Sequence, residues 1–221
     1  MRKSQLFSTG AYKEVEDSIL SLLNSQADFL SNRTAASTRA AGDAIQTILS
    51  EHFQSLLGKY CIEYSADFAR RAMADLAFTD ADGLYYIVDV ETHRLETHFN
   101  MPNLTSVERI ARFYEDDKNH FVVLMVKYSV EGTRVVAKEA HFVPIEFLSW
   151  RCLTIGALGW GQVQIANANV LEVVEGNPRR DWMIELCDTL LEFYPKEIEK
   201  IGERIEHFKK VKEHWEHKER V

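Results

Sequence analysis

Acidic side chains at the end of an apolar segment are the residues of this sequence best placed to do chemistry. Residues 84–93 read LYYIVDVETH, a pattern that predicts a buried strand ending in carboxylates. Because side chains alternate along a strand, Asp89, Glu91 and His93 are expected on one face. Burying carboxylates costs free energy unless a partner compensates their charge, and a divalent cation is the usual partner. The pattern therefore indicates a metal-dependent site.

A third carboxylate lies on the segment just before this strand. Residues 74–79 read ADLAFT and predict a second strand with Asp75 at its start. Asp80, Asp82 and Gly83 are typical of a turn, with the glycine supplying a positive φ. The two strands would form a hairpin that places Asp75 across from Asp89. Such a group of carboxylates can hold one or two Mg²⁺ ions, which prefer oxygen ligands and retain several waters.

These residues resemble a known nuclease signature. Asp75, thirteen intervening residues, and then Asp89-Val90-Glu91 are similar to the PD-(D/E)xK motif. Residues 92–95 and 99–106 resemble type II restriction endonucleases of the EcoRV-like branch. The motif covers about twenty residues, and its fit to a hairpin, a helix and a further strand extends the resemblance over residues 40–175. It implies a restriction-endonuclease-like core, Mg²⁺ as cofactor and Asp75, Asp89 and Glu91 as metal-binding catalytic residues.

Two positions depart from that signature. Ala74 stands in place of the proline, which shapes only the backbone, and Glu91 stands in place of the lysine. The lysine is thought to lie near the attacking water and the scissile phosphate, so a carboxylate there reverses a charge. At ~4 Å and an effective dielectric of ~20 each such interaction is worth roughly 4 kcal/mol. Glu91 is then either a third metal ligand or the mark of a site that binds DNA without cutting it.

Four further residues are auxiliary candidates. Asp43 and Glu51, on a predicted helix, each offer an outer metal ligand of the kind an upstream helix supplies in related nucleases. Lys127 follows the predicted strand at residues 121–126 and offers a replacement for the absent lysine. His93 shares the face of Asp89 and Glu91. For each of them, an ordinary solvated or structural role is the competing interpretation.

A glycine- and amide-rich segment is the candidate for DNA recognition. Residues 155–169 contain three glycines within six residues, followed by four amide side chains. Glycines allow close backbone approach to a ligand, and Gln or Asn can bond adenine bidentately. The competing interpretation is a glycine-rich hairpin turn with its tryptophan in the core. The candidate DNA-binding residues, including a second set in the loop after the acidic strand, are Asn100, Asn103, Trp160, Gln162, Gln164, Asn167 and Asn169.

The rest of the chain predicts an α/β (α+β) fold with a mixed central sheet flanked by helices. One domain is expected over residues 1–221, with an N-terminal helical part at about 11–58 and C-terminal helices at about 178–220. Residues 35–42 are expected to be a connector, and Pro195 is expected to break the last helical segment. A capping box at residues 105–108 predicts a helix, and strand–helix–strand order there predicts a βαβ crossover.

Composition limits the classes of function. The net charge of −8 argues against nonspecific coating of DNA, although a basic face on one side remains compatible with a specific DNA enzyme. Candidate basic groups near the site are Arg70, Arg71, Arg94, Arg109 and Arg112. Cys61, Cys152 and Cys187 are predicted to be buried free thiols. The thiols, the short apolar runs and the absence of a signal pattern predict a cytoplasmic protein without membrane contact.

The resemblance and the residues together predict Mg²⁺-dependent, sequence-specific cleavage of double-stranded DNA by a bacterial intracellular homodimer. The target would be palindromic, and the amides favour A·T-rich contacts. Two alternatives stay open. One is a catalytically impaired DNA-binding protein of the same fold, and the other is a structure-specific repair or junction nuclease.

Overall fold

A computed structural model describes residues 3–26, 30–66 and 74–218. It divides the chain into two compact units, Met1–Pro178 and Arg179–Val221. Arg70 and Arg71 lie outside the described residues. Among the described residues, no helix is both long enough and apolar enough to cross a membrane.

The first unit is a mixed sheet with helices packed on it, so the predicted fold class is confirmed. Its helices are α1 (Gln5–Ser8), α2 (Tyr12–Ser25), α3 (Asn32–Ala35), α4 (Thr38–Leu57) and α5 (Val107–Phe113), with short 3₁₀ turns at Gly58–Tyr60 and Ile145–Phe147. Its strands are β1 (Glu63–Ser65), β2 (Leu76–Thr79), β3 (Tyr85–Arg94), β4 (Asn103–Ser106), β5 (Asn119–Glu131), β6 (Arg134–Pro144), β7 (Leu153–Gly156) and β8 (Gln162–Ile165).

Two sheets organise these strands. The larger has the order β1-β2-β3-β5-β6, and the smaller has the order β4-β8-β7. β3 and β5 run parallel over ten paired positions, whereas the other neighbours in the larger sheet are antiparallel. Helix α5 lies on the connection between β3 and β5, which confirms the predicted strand–helix–strand unit. The acidic strand β3 is therefore central and hydrogen-bonded on both sides.

Helices α2 and α4 supply apolar faces to the core of this unit. Val15, Ile19 and Leu23 of α2 are buried, as are the aliphatic residues of α4 at positions 45, 49 and 57. Phe53 of α4 contacts the ring of Phe78 on β2 and that of Phe142 on β6. The helical packing thus fixes the position of the sheet that carries the acidic residues.

The prediction of a connector at residues 35–42 is wrong. Helix α4 begins at Thr38, because the Ser37 hydroxyl accepts a hydrogen bond from the Ala40 backbone N–H and caps it. Gly42 lies inside the helix, where an added Cβ would fall 2.5 Å from Thr92 Oγ1. The small residues that suggested a linker instead allow α4 to approach β3 closely.

The predicted capping box also differs from the observed helix start. Ser106, not Thr105, is the N-cap of α5, and its hydroxyl accepts from the Arg109 N–H at 3.2 Å. Thr105 belongs to β4, and its buried Oγ1 has no hydrogen-bond partner. Two adjacent hydroxyl residues made the sequence ambiguous by one position, which is the usual accuracy of a helix boundary.

The second unit contains one long helix, α6 (Arg179–Glu216). Pro195 lies inside it, so the prediction that this proline breaks the helix is wrong. A proline removes one backbone donor and crowds the preceding turn, but it does not prevent a helix from continuing on either side. Cys187 of this helix is exposed, in contrast to the buried Cys61 and Cys152, so the prediction of three buried thiols fails at this position.

The turn between β2 and β3 is held by Asp80. Its Oδ1 accepts from the Asp82 N–H at 3.0 Å and the Leu84 N–H at 2.9 Å, and its Oδ2 accepts from the Tyr86 hydroxyl at 2.7 Å. Gly83 has a φ of 71°, as predicted for this turn. Asp80 is therefore a structural carboxylate whose charge is fully hydrogen-bonded.

Asp80→Ala should destabilise the first unit by about 3 kcal/mol, because hydrogen bonds to a charged group contribute roughly 1.5–3 kcal/mol each and are not additive. Urea unfolding followed by circular dichroism measures the change. Asp82→Ala is the matched control and should change stability by less than about 0.5 kcal/mol, since its own backbone N–H, not its side chain, binds Asp80. Equal losses in the two variants would contradict this role of Asp80.

Candidate active site

The hairpin brings Asp75 across from Asp89. Leu76 pairs with Val88 in the β2–β3 ladder, and the Asp75 N–H donates to the Val88 carbonyl at 3.0 Å. At the next position along the ladder, Asp75 lies opposite Asp89. Asp75 Oδ2 accepts from the Val90 N–H at 2.9 Å, which holds its carboxylate against the backbone of the acidic strand. The predicted placement of these two residues is observed.

Asp89 carries a buried oxygen that nothing in the described chain satisfies. Its Oδ2 has no solvent exposure and no hydrogen-bond partner. Its backbone pairs in register with Val123 of β5, in an apolar stretch of that strand. Burial, followed by the charges of Glu91 and Asp75, raises the pKa of Asp89 well above its usual range. Among the described residues, this carboxylate has no positively charged partner.

Glu91 lies two residues further along the same face of β3. Burial and the charge of Asp75 raise the pKa of Glu91 to about 7. Its strand neighbour across the β3–β5 ladder is the buried Met125, which offers no charge. In the described part of the chain, Glu91 makes no ion pair. The position that the nuclease signature reserves for a positive group is therefore negative and electrostatically unfavourable.

The three carboxylates form a repelling cluster, and their mutual electrostatic effect shows that they lie close together. A divalent cation is the ligand such a cluster fits best, because it would satisfy the unpartnered Oδ2 of Asp89 and offset the repulsion. Within the described ranges, no group of three or more His, Cys, Asp or Glu side chains is arranged so that it could hold a metal ion. Mg²⁺ does not require such a group, since one or two carboxylates, waters and substrate phosphates usually complete its shell.

The structure distinguishes the two helix acids. Asp43 and Asp75 line the same cavity of about 290 Å³, together with Gln46, Thr47 and Ser50 of α4. Glu51 is exposed and is not among the lining residues. Asp43 is thus the acid of α4 that lies nearest the site, while Glu51 has the features of a solvated surface residue.

Lys127 does not occupy the place of the absent lysine. It pairs in register with His93, two positions beyond the partner of Glu91. Its Nζ lies 2.9 Å from Glu139 Oε2 and donates to the Asn169 carbonyl at 3.4 Å. The buried Lys127 therefore pairs with the exposed Glu139 on the neighbouring strand β6.

His93 is a buried residue held by an amide. It is 1% exposed, and its Nε2 lies 2.8 Å from Asn169 Oδ1. Its Nδ1 is also buried and has no hydrogen-bond partner. The ring thus joins the end of β3 to the loop after β8, which is a positioning role for the glycine- and amide-rich segment.

That segment forms a hairpin whose tip is exposed. β7 and β8 pair antiparallel, and Gly159 and Gly161 have φ values of 59° and 123° in the turn between them. Trp160 at the tip is 61% exposed and Leu158 is 68% exposed. The hairpin is confirmed, but the tryptophan lies at the surface and not in the core. An exposed apolar tip on a glycine-bent hairpin is suited to contact a large ligand.

The amide residues differ in what they bind. Gln164 donates to Asn103 Oδ1 across the small sheet. Asn167 Oδ1 accepts from the backbone and side-chain nitrogens of Asn169. Asn169 also donates to the His98 carbonyl. Asn167 and Asn169 therefore hold the loop in place, whereas Gln162 is half-buried with its side chain in none of these bonds.

A second cavity, of about 350 Å³, lies beside the end of β3. Its lining includes Asn100 and three residues that the sequence did not single out for binding, Arg39, Thr97 and Phe99. Arg39 is exposed and Phe99 is 60% exposed. The signal in the sequence was an aromatic residue within a polar loop. Arg39 had no signal, because it falls in the stretch expected to be a connector.

Two of the arginines expected near the site, Arg94 and Arg112, bind other groups of the chain. Arg94 donates from its Nη1 to the Ala35 carbonyl at 2.7 Å and from its Nε to Glu96. Arg112 pairs with Glu108 one turn away in α5. Arg109 is exposed on the same helix. Arg94 thus anchors α3 to β3, and Arg109 is the described arginine of this set best exposed for a phosphate.

Asp89→Asn should raise stability in the absence of divalent metal, because it removes a buried charge that has no partner. The expected gain is about 1–2 kcal/mol in urea unfolding with a chelator present. Mg²⁺ should stabilise the native protein and have a much smaller effect on the variant. A loss of stability similar to that of Asp80→Ala would contradict the assignment of Asp89 as an uncompensated acid.

Glu91→Gln should flatten the dependence of stability on pH. In the unfolded chain Glu91 titrates near 4.5 and in the native protein near 7, so the native state binds the proton more tightly. The penalty for ionising Glu91 therefore grows as pH rises from about 4.5 to 7 and is complete above that range. Thermal unfolding at several pH values, without metal, measures the slope.

Glu16→Gln is the matched control for that experiment. Burial also raises the pKa of Glu16 to about 7, although its carboxylate accepts from the Phe142 N–H at 2.7 Å. Each variant should show a smaller slope of stability against pH than the unaltered protein. In the unaltered protein, Mg²⁺ should remove the contribution of Glu91 to that slope and leave the contribution of Glu16. An equal effect of Mg²⁺ on both contributions would contradict a cation site at Glu91.

No protein-family model matches the sequence, and no curated protein matches it either. A proposal for the function therefore depends on the chemistry of the carboxylate cluster and on the exposed β7–β8 hairpin.

Proposed function

We propose that this protein is a Mg²⁺-dependent endonuclease that cleaves double-stranded DNA at a specific site. The observation that carries the proposal is the buried, unpartnered Oδ2 of Asp89 within a cluster of three carboxylates. Within the described residues these carboxylates repel one another when ionised, and a bound cation would offset their charge. Phosphodiester hydrolysis is the reaction class that uses such a cluster together with a polyanionic substrate.

Each acidic residue has a distinct role in this proposal. Asp89 and Asp75 would hold the cation, with Asp75 oriented by the Val90 N–H. Bound there, Mg²⁺ would supply Lewis acidity that lowers the pKa of a water and stabilises charge on the scissile phosphate. Glu91, with its pKa near 7, is suited to accept a proton from a water or to serve as a further ligand.

The hairpin and the loop after β3 are the proposed DNA contacts. The exposed Trp160 at the β7–β8 tip is suited to pack against the duplex or enter a base step. Gln162 is the amide of this hairpin best able to read a base edge, while Asn100 borders the second cavity. Asn103 and Gln164 already bond each other, so their reading of bases would require that bond to open.

A palindromic target, a homodimer and a bacterial cytoplasm are parts of the same proposal. Two copies related by a twofold axis would place one carboxylate cluster at each strand of a palindrome. The net charge of −8 is compatible with this arrangement only if binding depends on specific contacts, because phosphate attraction over the whole surface is absent.

A specific observation favours a second candidate, a DNA-binding protein of impaired catalytic power. Glu91 replaces the expected lysine, and Lys127, the substitute that the sequence suggested, is bound to Glu139. A third negative charge disfavours approach of the phosphate unless a cation offsets it. Under this alternative the chain binds its site and does not cut it.

Incubation of the protein with plasmid DNA and Mg²⁺ tests the two candidates together. The proposal predicts discrete fragments with the natural sequence and loss of cleavage by at least 100-fold in Asp89→Asn, because the variant lacks the charged ligand. Gel analysis and sequencing of the ends give the site. Asp43→Asn should reduce the rate less, since Asp43 only borders the adjoining cavity.

Glu91→Lys separates the outcomes. If it creates cleavage in a chain that otherwise only binds a specific site, the impaired protein is the correct candidate. Cutting of four-way junctions without discrete plasmid fragments would assign a structure-specific nuclease instead. No cleavage and no specific binding by either form, with any divalent metal, would contradict both candidates.

A further inference from the structure

Helix α6 carries an exposed, mostly apolar stripe with a seven-residue repeat. From Ile184 to Trp215 the positions of the stripe recur at alternating steps of three and four, and the charged Lys212 interrupts its apolar character. In heptad order from position 184, the a positions are Ile184, Leu191, Ile198, Ile205 and Lys212, and the d positions are Cys187, Tyr194, Ile201, Phe208 and Trp215. Ile198 is 70% exposed and Leu191 is 72% exposed. A surface of this extent on one face of a helix marks an interaction site.

The period of the stripe identifies the kind of partner. A straight α-helix drifts by ~20° per heptad from a 3.5-residue repeat, so a repeat kept over more than four heptads fits another helix in a left-handed supercoil. A flat surface or a globular groove would require no such period. The partner is therefore a helix with the same repeat.

We propose that this partner is α6 of a second copy, and that the two helices form an antiparallel coiled coil. In an antiparallel pair each a position packs against a d position of the other helix. Centring the pair between residues 199 and 200 matches every position of the stripe, from Ile184 with the second copy's Trp215 to Ile198 with the second copy's Ile201. This inference is independent of any DNA-cleaving activity.

Charge complementarity favours this register. It places Asp188 beside Lys209 of the second copy, and both residues are exposed in the single chain. It also places Arg204 beside Glu197 of the second copy, a residue that is buried in the single chain and paired there with Lys200. By symmetry each pair occurs twice, and opposite charges that flank the apolar stripe set orientation and register in coiled coils. The single unfavourable pair, Asp181 with Glu216, falls at the ends of the helices, where fraying reduces its effect.

The other arrangements are worse by the same criterion. A shift of one heptad in one direction places Glu197 beside Glu197 of the second copy. A shift in the other direction places Arg204 beside Arg204 of the second copy. A parallel pair in register places Arg204 beside Lys209 and stacks Lys212 on Lys212 within the stripe. Like charges in these positions oppose association.

A glycine inside the helix gives an independent indication. Gly202 lies in mid-helix, where glycine weakens a helix relative to alanine, and nothing lies within 4 Å of the position its Cβ would take. No contact with the part of the chain that the structure describes therefore requires a glycine there. In the proposed register Gly202 faces Pro195 of the second copy, whose ring occupies the space that a side chain would fill.

Sedimentation equilibrium of the full chain, without DNA, measures the association. The expected result is a dimer whose dissociation constant rises at least tenfold in Ile198→Lys. Because Ile198 is exposed in the single chain, this variant should keep the fold of the first unit. Its circular dichroism spectrum should therefore retain the β-sheet signal of the unaltered protein. Glu199→Lys, at the neighbouring position outside the stripe, is the control and should remain dimeric. A wild-type chain that is monomeric at high micromolar concentration would overturn the proposal.

A charge exchange tests the orientation. Asp188→Lys should weaken the dimer by placing two lysines together, and adding Lys209→Asp in the same chain should restore it. The two residues are about 31 Å apart along one helix, so rescue requires the second copy. Lys212→Cys should form a disulfide with Cys187 of the second copy on oxidation. Failure of the charge rescue together with a Cys187–Cys187 disulfide in the unaltered protein would overturn the antiparallel arrangement.

Discussion

The burial of an unpartnered carboxylate on the central strand is the constraint on which the rest of this structure depends. Asp89 lies on β3, which is hydrogen-bonded to β2 on one side and to β5 over ten positions on the other, so it cannot swing out without disrupting the sheet. Asp80, nine residues earlier, shows how the same hairpin treats a structural carboxylate, since each of its oxygens accepts a hydrogen bond. In contrast, Asp89 Oδ2 is buried without a hydrogen bond among the described residues, and burying such a group costs stability.

Glu91 determines which chemistry this charge can support. A lysine at that position would balance the two aspartates, whereas Glu91 adds to their repulsion and acquires a pKa near 7. A group with that pKa exchanges protons readily at neutral pH, which is the property of a general base. Under the proposed function, the same charge would have to be offset by a cation before a phosphate could approach.

The sequence predicted the parts of the fold that depend on local pattern. The β2–β3 hairpin, the turn at Asp80 and Gly83, the parallel pairing of β3 with β5 and the β7–β8 hairpin follow from alternation, turn residues and short connections. It failed where tertiary contacts decide. The expected connector is helical where Gly42 lies close to Thr92. Helix α6 continues through Pro195. Three further features depend on neighbours in space that residue spacing does not reveal. Asp43 rather than Glu51 lines the cavity beside Asp75, Lys127 pairs with Glu139, and Asn169 donates to the His98 carbonyl.

Anomalous diffraction from crystals of the protein soaked in Mn²⁺ tests the central claim most directly. Mn²⁺ replaces Mg²⁺ at oxygen sites and scatters strongly enough to be located without reference to activity. The account predicts a peak within coordination distance of Asp89 Oδ2 and of a carboxylate oxygen of Asp75, and no peak there in Asp89→Asn. Absence of a peak at Asp89 in the natural sequence, with well-ordered carboxylates and Mn²⁺ bound elsewhere or nowhere, would contradict it.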